Sequence, residues 1–218
     1  MSKASVSLIL LSAGGGRRFG KKKQFEKLLG KEVYLYSLER LLGLFDETIL
    51  VLPPEDMGLS VPAGVKKVAG AEERQGSVFN ALLQARGEVV VIHDCARPFA
   101  SVSLFEKVAD LGGYEGKICA LPVRDTLKRV ADGFVVQTVD RTGIWQAQTP
   151  QAFLRRVLLE CHLRAKKDGF FATDDAMLLE HYGYKVAVVM GEPTNIKITY
   201  PEDMLLAEAI AKELFGAH

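Results

Sequence analysis

A run of glycines followed by cations lies near the start of the chain, in the stretch LLSAGGGRRFGKKKQF at residues 10–25. Gly14, Gly15 and Gly16 follow an apolar run that is typical of a β-strand, and a glycine-rich turn after a strand lets backbone N–H groups approach an anion. Arg18 and the lysines at 21–23 would neutralise several of its charges. The stretch predicts a loop that binds a triphosphate; a solvated basic loop is the alternative.

This loop departs from both common phosphate-binding motifs. A Walker A loop needs a hydroxyl after its lysine to ligate magnesium, and Lys22 occupies that position. A dinucleotide-binding GxGxxG loop needs a third glycine where the helix packs on the strand, and Phe19 occupies that position. Another part of the chain must therefore supply the metal ligand.

The segment HDCARPF at residues 93–99 offers that ligand. It places Asp94 at the carboxyl end of an apolar strand, where open α/β sheets bind their ligands. A carboxylate there would hold Mg²⁺ against phosphate oxygens. Arg97 is predicted to bind phosphate or to orient Asp94, with a surface ion pair as the alternative. His93 is more typical of a hydrogen-bonded structural residue.

Three other polar clusters give weaker signals. Arg74 and Ser77 lie at the start of a predicted helix. Thr173 and the two acids after it are typical of a helix N-terminus, which competes with a catalytic role. Lys197 alternates with isoleucines in TNIKIT, a strand-like pattern. It is therefore expected to face either solvent or a site.

Strands and helices alternate along the chain to position these residues. Helices are predicted after Ser101 as N-cap, after Pro150 with Phe153 and Leu154 on the apolar face, and after Pro201. Apolar runs typical of buried strands occur at residues 6–11, 48–52, 89–92, 117–122 and 185–190. This alternation predicts an α/β fold with a Rossmann-like, mostly parallel sheet and helices on both faces. A length of 218 residues suits a single α/β domain, 1–218.

One segment breaks the alternation. RDTLKRVADGFVVQTVDR contains two runs of alternating polar and apolar residues around Asp132-Gly133, a strong signal for a β-hairpin. Val130, Phe134 and Val136 would lie on one side of it. We expect a protruding β-hairpin arm, approximately residues 124–147, that packs on something else, such as a second subunit in a dimer.

Composition excludes several classes of protein. A net charge of +1 gives no electrostatic reason to expect a nucleic-acid surface. The three cysteines are widely spaced, which predicts neither a disulfide framework nor a zinc site and suits a reducing cytoplasm. The first apolar run is too short to act as a signal sequence or to span a bilayer, so no membrane role is expected.

Taken together, the motifs resemble those of the 2-C-methyl-D-erythritol 4-phosphate cytidylyltransferases of non-mevalonate isoprenoid synthesis. The family patterns PAAGxGxRM with PKQ, GGxxRxxS, VHDAARP and PVxDTxK appear here as LSAGGGRRF with KKQF, AGAEERQGS, IHDCARP and PVRDTLK. VxRxxLWxxxTPQ, TDD and NIKVT appear as VDRTGIWQAQTPQ, ATDDA and TNIKITYPED. Several positions differ: Leu11 and Ser12 replace a proline and an alanine, Lys22 replaces a proline, Ala71 replaces a glycine, and Thr194 stands where an acid is common.

The resemblance implies a transfer of the cytidylyl group of CTP, with a divalent cation such as Mg²⁺, to a polyol phosphate in a homodimer. The implied nucleotide-binding residues are Ser12, Ala13, Gly14, Gly15, Gly16, Arg74 and Ser77. The implied catalytic residues are Arg18, Lys23, Arg141 and Lys197. The implied contacts of the polyol phosphate are Asp94, which also contacts the metal, Arg97, Thr126, Arg141, Thr149, Thr173 and Lys197. Thr126 and Arg141 would reach the partner subunit's site.

Three other functions stay open at this point. Another polyol phosphate, such as ribitol 5-phosphate, could be the acceptor, because that family shares most of these motifs. A sugar-phosphate nucleotidyltransferase using UTP or GTP is a second hypothesis. A catalytically silent nucleotide-binding protein is a third, although convergent charges such as Arg18, Lys23 and Asp94 argue against it.

Overall fold

A computed structural model describes residues 4–216 of the chain. Its strands are β1 (Val6–Leu11), β2 (Lys27–Leu28), β3 (Lys31–Glu32), β4 (Glu47–Leu52), β5 (Val65–Ala69), β6 (Val89–Asp94), β7 (Gly116–Pro122), β8 (Leu127–Ala131), β9 (Phe134–Val139), β10 (Trp145–Leu154) and β11 (Val186–Met190). Its α-helices are α1 (Val33–Leu41), α2 (Arg74–Leu82), α3 (Val102–Ala109), α4 (Arg155–Asp168), α5 (Asp175–His181) and α6 (Asp203–Phe215). Short 3-10 helices cover Lys23–Phe25 and Pro54–Asp56.

The central sheet is mostly parallel, as predicted. Across residues 4–216 it has seven strands in the order β11-β7-β10-β6-β1-β4-β5. β10 runs antiparallel to β6 and β7, and the other neighbouring pairs are parallel. Within the same residues, no helix is both long and apolar enough to cross a membrane.

Helices cover both faces of the sheet, which explains the continuous apolar strands. In β1, Ile9 packs in a cluster with residues of α2, α4 and α5, whereas Leu8 and Leu10 pack with α1 and α3 on the other face. All three side chains are fully buried. Burial of each such side chain contributes about 1.5–3 kcal/mol, so the strand is held from both sides.

Two helix starts agree with the prediction from their capping residues. The Ser101 hydroxyl accepts a hydrogen bond from the Leu104 N–H at 3.1 Å, at the start of α3. The Asp174 carboxylate accepts one from the Met177 N–H at 3.0 Å, at the start of α5. Each cap satisfies a backbone donor that the first helical turn leaves without a partner.

The helix predicted directly after Pro150 is wrong, because residues up to Leu154 belong to β10 and α4 begins at Arg155. Phe153 pairs with Val90 of β6 on one side and with Gly116 of β7 on the other. Strand neighbours on both sides therefore fix this segment as extended, even though its apolar spacing also suits a helix.

The predicted hairpin is present and its turn lies at Asp132-Gly133, both with positive φ. β8 and β9 pair with each other apart from the central sheet. The C-terminal limit predicted for the arm is too long, because Trp145 already pairs with Pro122 of β7 in the central sheet. The hairpin exposes large apolar side chains; Phe134, for example, is 77% exposed.

Candidate active site

The glycine loop and Asp94 meet because β1 and β6 are parallel neighbours. In their register Leu11, the last residue of β1, lies opposite Asp94, the last residue of β6. The Cys95 N–H donates to the Leu11 carbonyl at 3.0 Å, which holds the two strand ends together. The sheet therefore places a glycine-rich turn beside a carboxylate at its carboxyl edge, as the sequence predicted.

The glycine loop has one position that tolerates no side chain. Gly16 has φ +67°, and a Cβ there would lie 1.8 Å from the Lys21 carbonyl oxygen. Gly14 and Gly15 are exposed with open space around them. The Gln24 side-chain amide donates to the Gly14 carbonyl at 3.1 Å and fastens the loop to the following 3-10 helix. A close turn at Gly16 thus presents an open backbone surface at Gly14 and Gly15.

The three consecutive lysines have three different environments. The Lys21 ammonium pairs with Glu26 at 2.6 Å. Lys22, where the family pattern has proline, pairs with Glu55 at 2.8 Å and Asp56 at 2.5 Å in the turn after β4.

The third of these lysines, Lys23, lines the cleft. Burial lowers its pKa, and the positive charges of Lys197 and Arg18 lower it further. Like charges that repel one another around a cleft favour an anionic ligand. This supports Lys23 as the lysine, among the three, that would bind a phosphate.

Asp94 lies between two cations. Its Oδ2 is 2.6 Å from the Lys197 ammonium and its Oδ1 is 3.2 Å from Arg74 Nε. Burial would raise the pKa of Asp94, but the charges of Arg74 and Lys197 outweigh burial and hold the pKa well below its usual range. Asp94 is therefore an ionised carboxylate, the form that binds a divalent cation.

Lys197 reaches Asp94 from a segment that is not a strand, contrary to the prediction. Residues 194–199 form irregular backbone, and the segment is held by the fully buried Asn195. The Asn195 side-chain amide donates to the Thr149 carbonyl at 2.8 Å, and the Gln148 amide donates to the Asn195 carbonyl at 3.3 Å. Lys197 faces the site rather than open solvent, one of the two orientations that its alternation with isoleucines allowed.

These elements enclose a cleft of about 160 Å³. Its lining residues are Leu11, Ser12, Ala13, Gly14, Lys23, Gln24, Ala71, Glu72, Arg74, Ser77, Asp94, Ala96 and Lys197. A larger groove of about 790 Å³ is lined by residues such as Val6, Phe45 and Leu111. The smaller cleft is the candidate site, because it holds the glycine loop and the charged residues.

Several predicted site residues bind other parts of the protein. Arg97 donates to the carbonyls of Asn195 at 2.7 Å and Ala147 at 3.4 Å. Thr149 Oγ1 accepts from the Asp94 N–H at 3.1 Å and lies 3.0 Å from His93 Nδ1. Both residues thus support the shape of the site around Asp94, and their contact with a substrate stays a prediction.

Ser77 supports the nucleotide end of the cleft. Its hydroxyl accepts from the Ala71 N–H at 2.9 Å and lies 3.3 Å from the Ala71 carbonyl oxygen. A Cβ at Gly70 would lie 2.4 Å from the Ala13 Cβ, so this turn packs closely on the glycine loop. Ser77 therefore fixes the turn that carries Ala71 beside the cleft.

Four predicted residues lie farther out. Arg18 is exposed, with its guanidinium 5.8 Å from the Tyr200 ring centroid. Thr173 is exposed at the start of α5. Thr126 and Arg141 are exposed at the two ends of the hairpin and do not line the cleft of their own chain.

Sequence reasoning missed the role of Asp175, which it treated only as an acid at a helix start. Asp175 is buried, and its Oδ2 is 2.8 Å from Arg74 Nη1. The pairing joins residues 101 positions apart, so no local pattern could reveal it. The only local signal was that Asp175 is a second acid, directly after the N-cap Asp174.

The histidine and the cysteine on either side of Asp94, His93 and Cys95, are not suited to general-base or nucleophilic catalysis. Burial lowers the pKa of His93 to about 4, and the Nε2 of its ring lies 2.9 Å from the Arg97 carbonyl oxygen. Burial raises the pKa of the Cys95 thiol well above its usual range. The chemistry of the site is therefore one of binding anions and neutralising their charge.

Comparisons with known proteins agree with this geometry. Residues 6–213 match the family 2-C-methyl-D-erythritol 4-phosphate cytidylyltransferase. A relative of that name from Aquifex aeolicus (strain VF5) is 57% identical over 203 residues, covering 93% of this chain and 95% of the relative. Another from Syntrophus aciditrophicus (strain SB) is 42% identical, covering 98% of this chain and 99% of the relative.

Solved structures are similar over nearly the whole chain as well. The 2-C-methyl-D-erythritol 4-phosphate cytidylyltransferase of Thermus thermophilus has a TM-score of 0.83 at 35% identity, covering 94% of this chain and 98% of that one. The 4-diphosphocytidyl-2C-methyl-D-erythritol synthase of Anaerococcus prevotii has a TM-score of 0.84 at 31% identity, covering 96% of each chain. The chain belongs to the 2-C-methyl-D-erythritol 4-phosphate cytidylyltransferase family.

Proposed function

We propose that the protein transfers the cytidylyl group of CTP to 2-C-methyl-D-erythritol 4-phosphate. The reaction releases pyrophosphate and forms 4-CDP-2-C-methyl-D-erythritol, a precursor in non-mevalonate isoprenoid synthesis. The observation that carries the proposal is the meeting of Lys23, Lys197 and Arg74 around Asp94, beside the open backbone at Gly14 and Gly15. Such a site suits two phosphate compounds that must be brought together despite their negative charges.

The mechanism is one in-line displacement. A phosphate oxygen of the polyol phosphate attacks the α-phosphorus of CTP, and pyrophosphate leaves. A phosphomonoester has a second pKa of about 6, so the nucleophile is already largely dianionic at neutral pH and needs no general base. This agrees with the neutral, hydrogen-bonded His93 and the protonated Cys95.

The residues of the cleft bind and neutralise the reactants. Backbone N–H groups of the glycine loop, from Ala13 to Gly16, hold the triphosphate, and the Ser12 N–H, which donates to the Val51 carbonyl at 2.9 Å, fixes the start of the loop. Lys23 and Arg18 stabilise the charge that develops on the α-phosphate, and Lys197 orients the attacking phosphate. Arg74 and Ser77 hold the nucleotide end through the turn beside Ala71.

The cleft suits Mg²⁺ bound jointly by protein and substrate. Within residues 4–216 no group of three or more His, Cys, Asp or Glu side chains could hold a metal ion by itself. Magnesium commonly binds through one or two carboxylates together with substrate phosphates, and Asp94 supplies one ionised carboxylate. Asp94 would hold Mg²⁺, which would supply charge neutralisation on the triphosphate.

We also propose a homodimer in which each hairpin reaches the other subunit. The hairpin exposes large apolar side chains: Val130 is 56% exposed, Phe134 77%, Val135 61% and Val136 62%, which favours burial against a partner. Thr126 and Arg141 at its ends would then contact the polyol phosphate in the partner's site, with Thr173 and Arg97 of the site's own subunit.

The single domain 1–218 and a cytoplasmic location stay proposals of the same kind. The described cysteines, Cys95, Cys119 and Cys161, are all free and buried. Reduced thiols suit a reducing compartment. Nucleic acid and membrane are not among the proposed partners, which are CTP and the polyol phosphate.

Pyrophosphate release tests the function. The purified protein with CTP, Mg²⁺ and 2-C-methyl-D-erythritol 4-phosphate should release pyrophosphate faster than with ribitol 5-phosphate, and faster with CTP than with UTP or GTP. Faster release with ribitol 5-phosphate would reassign the acceptor. Binding of CTP without turnover on any polyol phosphate would favour a silent nucleotide-binding protein.

A further inference from the structure

The Arg74 guanidinium lies between two carboxylates that come from distant parts of the chain. Its Nη1 is 2.8 Å from Asp175 Oδ2, and its Nε is 3.2 Å from Asp94 Oδ1. Asp175 is the first residue of α5 and is 1% exposed. It does not line the cleft, so it can influence the reaction only through a neighbour.

Arg74 is the neighbour that carries this influence. Burial lowers the pKa of Arg74, but the charges of Asp175 and Asp94 outweigh burial and raise the pKa above its ordinary value. The other polar side chain near Asp175 is His162, whose Nε2 lies 4.0 Å from Asp175 Oδ1. Burial lowers the pKa of His162, which keeps this ring neutral. The charge that balances Asp175 is therefore that of Arg74.

Gln75, next to Arg74, links the elements that carry the ion pair. The Gln75 side chain accepts from the Ala172 N–H at 2.8 Å and donates to the Phe170 carbonyl at 3.2 Å. These bonds join α2 to the segment that precedes α5. Asp175 and Arg74 thus sit on two elements that are held together independently of their ion pair.

We propose that Asp175 is a positioning residue that keeps Arg74 shared between two carboxylates and so leaves the Asp94 carboxylate able to bind a metal. The inference rests on the proposed function. Without the Asp175 charge, Arg74 would be a partly buried cation balanced by Asp94, which also pairs with Lys197. Arg74 would then bind Asp94 more strongly and compete with the divalent cation for it.

The test compares two neighbouring carboxylates. Asp175→Asn removes the charge that faces Arg74. Asp174→Asn removes a charge one residue away, where the carboxylate caps α5 through Met177 and accepts from Gln151 at 3.0 Å, and an asparagine keeps a capping oxygen. The measurements are the Mg²⁺ dependence of pyrophosphate release and calorimetric titration with CTP, with and without Mg²⁺.

For Asp175→Asn we expect about a 10–100-fold rise in the Mg²⁺ concentration needed for half-maximal rate, the range typical of lost outer-shell support. Its Mg²⁺-dependent gain in CTP affinity should fall with it, while Asp174→Asn should stay close to the parent enzyme in both. Equal effects of the two substitutions, or an unchanged Mg²⁺ dependence in Asp175→Asn, would overturn the proposal.

A double variant keeps the test decisive if Asp175→Asn folds poorly. In Asp175→Asn two cations, Arg74 and Lys197, would share the single carboxylate of Asp94. Replacing Arg74 by glutamine as well removes the surplus positive charge, so Arg74→Gln/Asp175→Asn should unfold at a higher temperature than Asp175→Asn alone. A double variant no more stable than the single one would overturn the proposed coupling. Failure of the proposed function would appear differently, as a parent enzyme that releases no pyrophosphate.

Discussion

Gly76 and Ala71 form a pair of positions in which only one can carry a β-carbon. Gly76 is the third residue of α2, and a Cβ built on it would lie 2.8 Å from the Ala71 Cβ. Ala71 cannot retreat easily, because its N–H and carbonyl both contact the Ser77 hydroxyl. The alanine that replaces the family's glycine at 71 is thus accommodated by the glycine at 76. We therefore expect Gly76→Ala to be harmful and Gly76→Ala with Ala71→Gly to be tolerated.

The magnitudes follow from two opposing effects. Extra methyl groups forced into a packed contact typically cost about 1–3 kcal/mol. Alanine in place of glycine inside a helix contributes about 1 kcal/mol of stability. Gly76→Ala should then lower the free energy of unfolding by up to about 2 kcal/mol, whereas the same change with Gly at 71 should raise it by about 1 kcal/mol. The coupling between the two positions is therefore about 1–3 kcal/mol.

Equilibrium unfolding by denaturant of the parent, the two single variants and the double variant measures this coupling. Pyrophosphate release should show in parallel that Gly76→Ala raises KM for CTP more than KM for the polyol phosphate, since the displaced turn lies at the nucleotide end of the cleft. Effects that add to within about 0.5 kcal/mol would refute the proposed contact. A raised KM for CTP that persists in the double variant would refute its link to the nucleotide site.

Three further predictions concern the glycine loop, the site lysine and the buried histidine. Gly16→Ala should abolish CTP binding and lower the melting temperature, because Gly16 has a positive φ and an added Cβ would lie 1.8 Å from the Lys21 carbonyl oxygen. Gly15→Ala should leave the melting temperature unchanged, because a Cβ there meets open space. Equal melting temperatures of the two variants would contradict this. Lys23→Ala should slow turnover by about 10²-fold or more, and Lys21→Ala, which removes an ion pair on the surface, should stay near the parent rate; near-normal turnover of Lys23→Ala would count against the assignment. Burial lowers the pKa of His93 to about 4 in the folded state, from about 6.5 in the unfolded state. The neutral ring therefore stabilises the folded state fully above pH about 6.5, and this stabilisation is lost as the pH falls towards 4. That loss amounts to about 2 kcal/mol between pH 7.5 and 5 in denaturant titrations, and a His93→Asn variant with the same pH dependence would disprove it.

Much of the fold could be predicted because its signals are local. Apolar runs, the Asp-Gly turn, the capping residue Ser101 and the helix start after Thr173 depend on neighbours within a few positions, and each was found where expected. The position of Asp94 at the end of β6 followed from the same kind of pattern. The central strand β10 could not be recognised, because its apolar spacing near Phe153 fits a helix equally well and only pairing with β6 and β7 decides between them.

By itself the sequence determined the alternation of strands and helices, the hairpin, the glycine loop and the set of charged motifs, because chain geometry and side-chain chemistry at those places act over short distances. The resemblance of KKQF to the family motif PKQ already selected Lys23 among the three lysines, but only the tertiary structure showed that Lys21 and Lys22 pair with Glu26, Glu55 and Asp56. Only the tertiary structure joined Asp175 to Arg74, across 101 positions. The strength of an ion pair depends on the distance between its charges in space, and the order of residues along the chain does not give that distance.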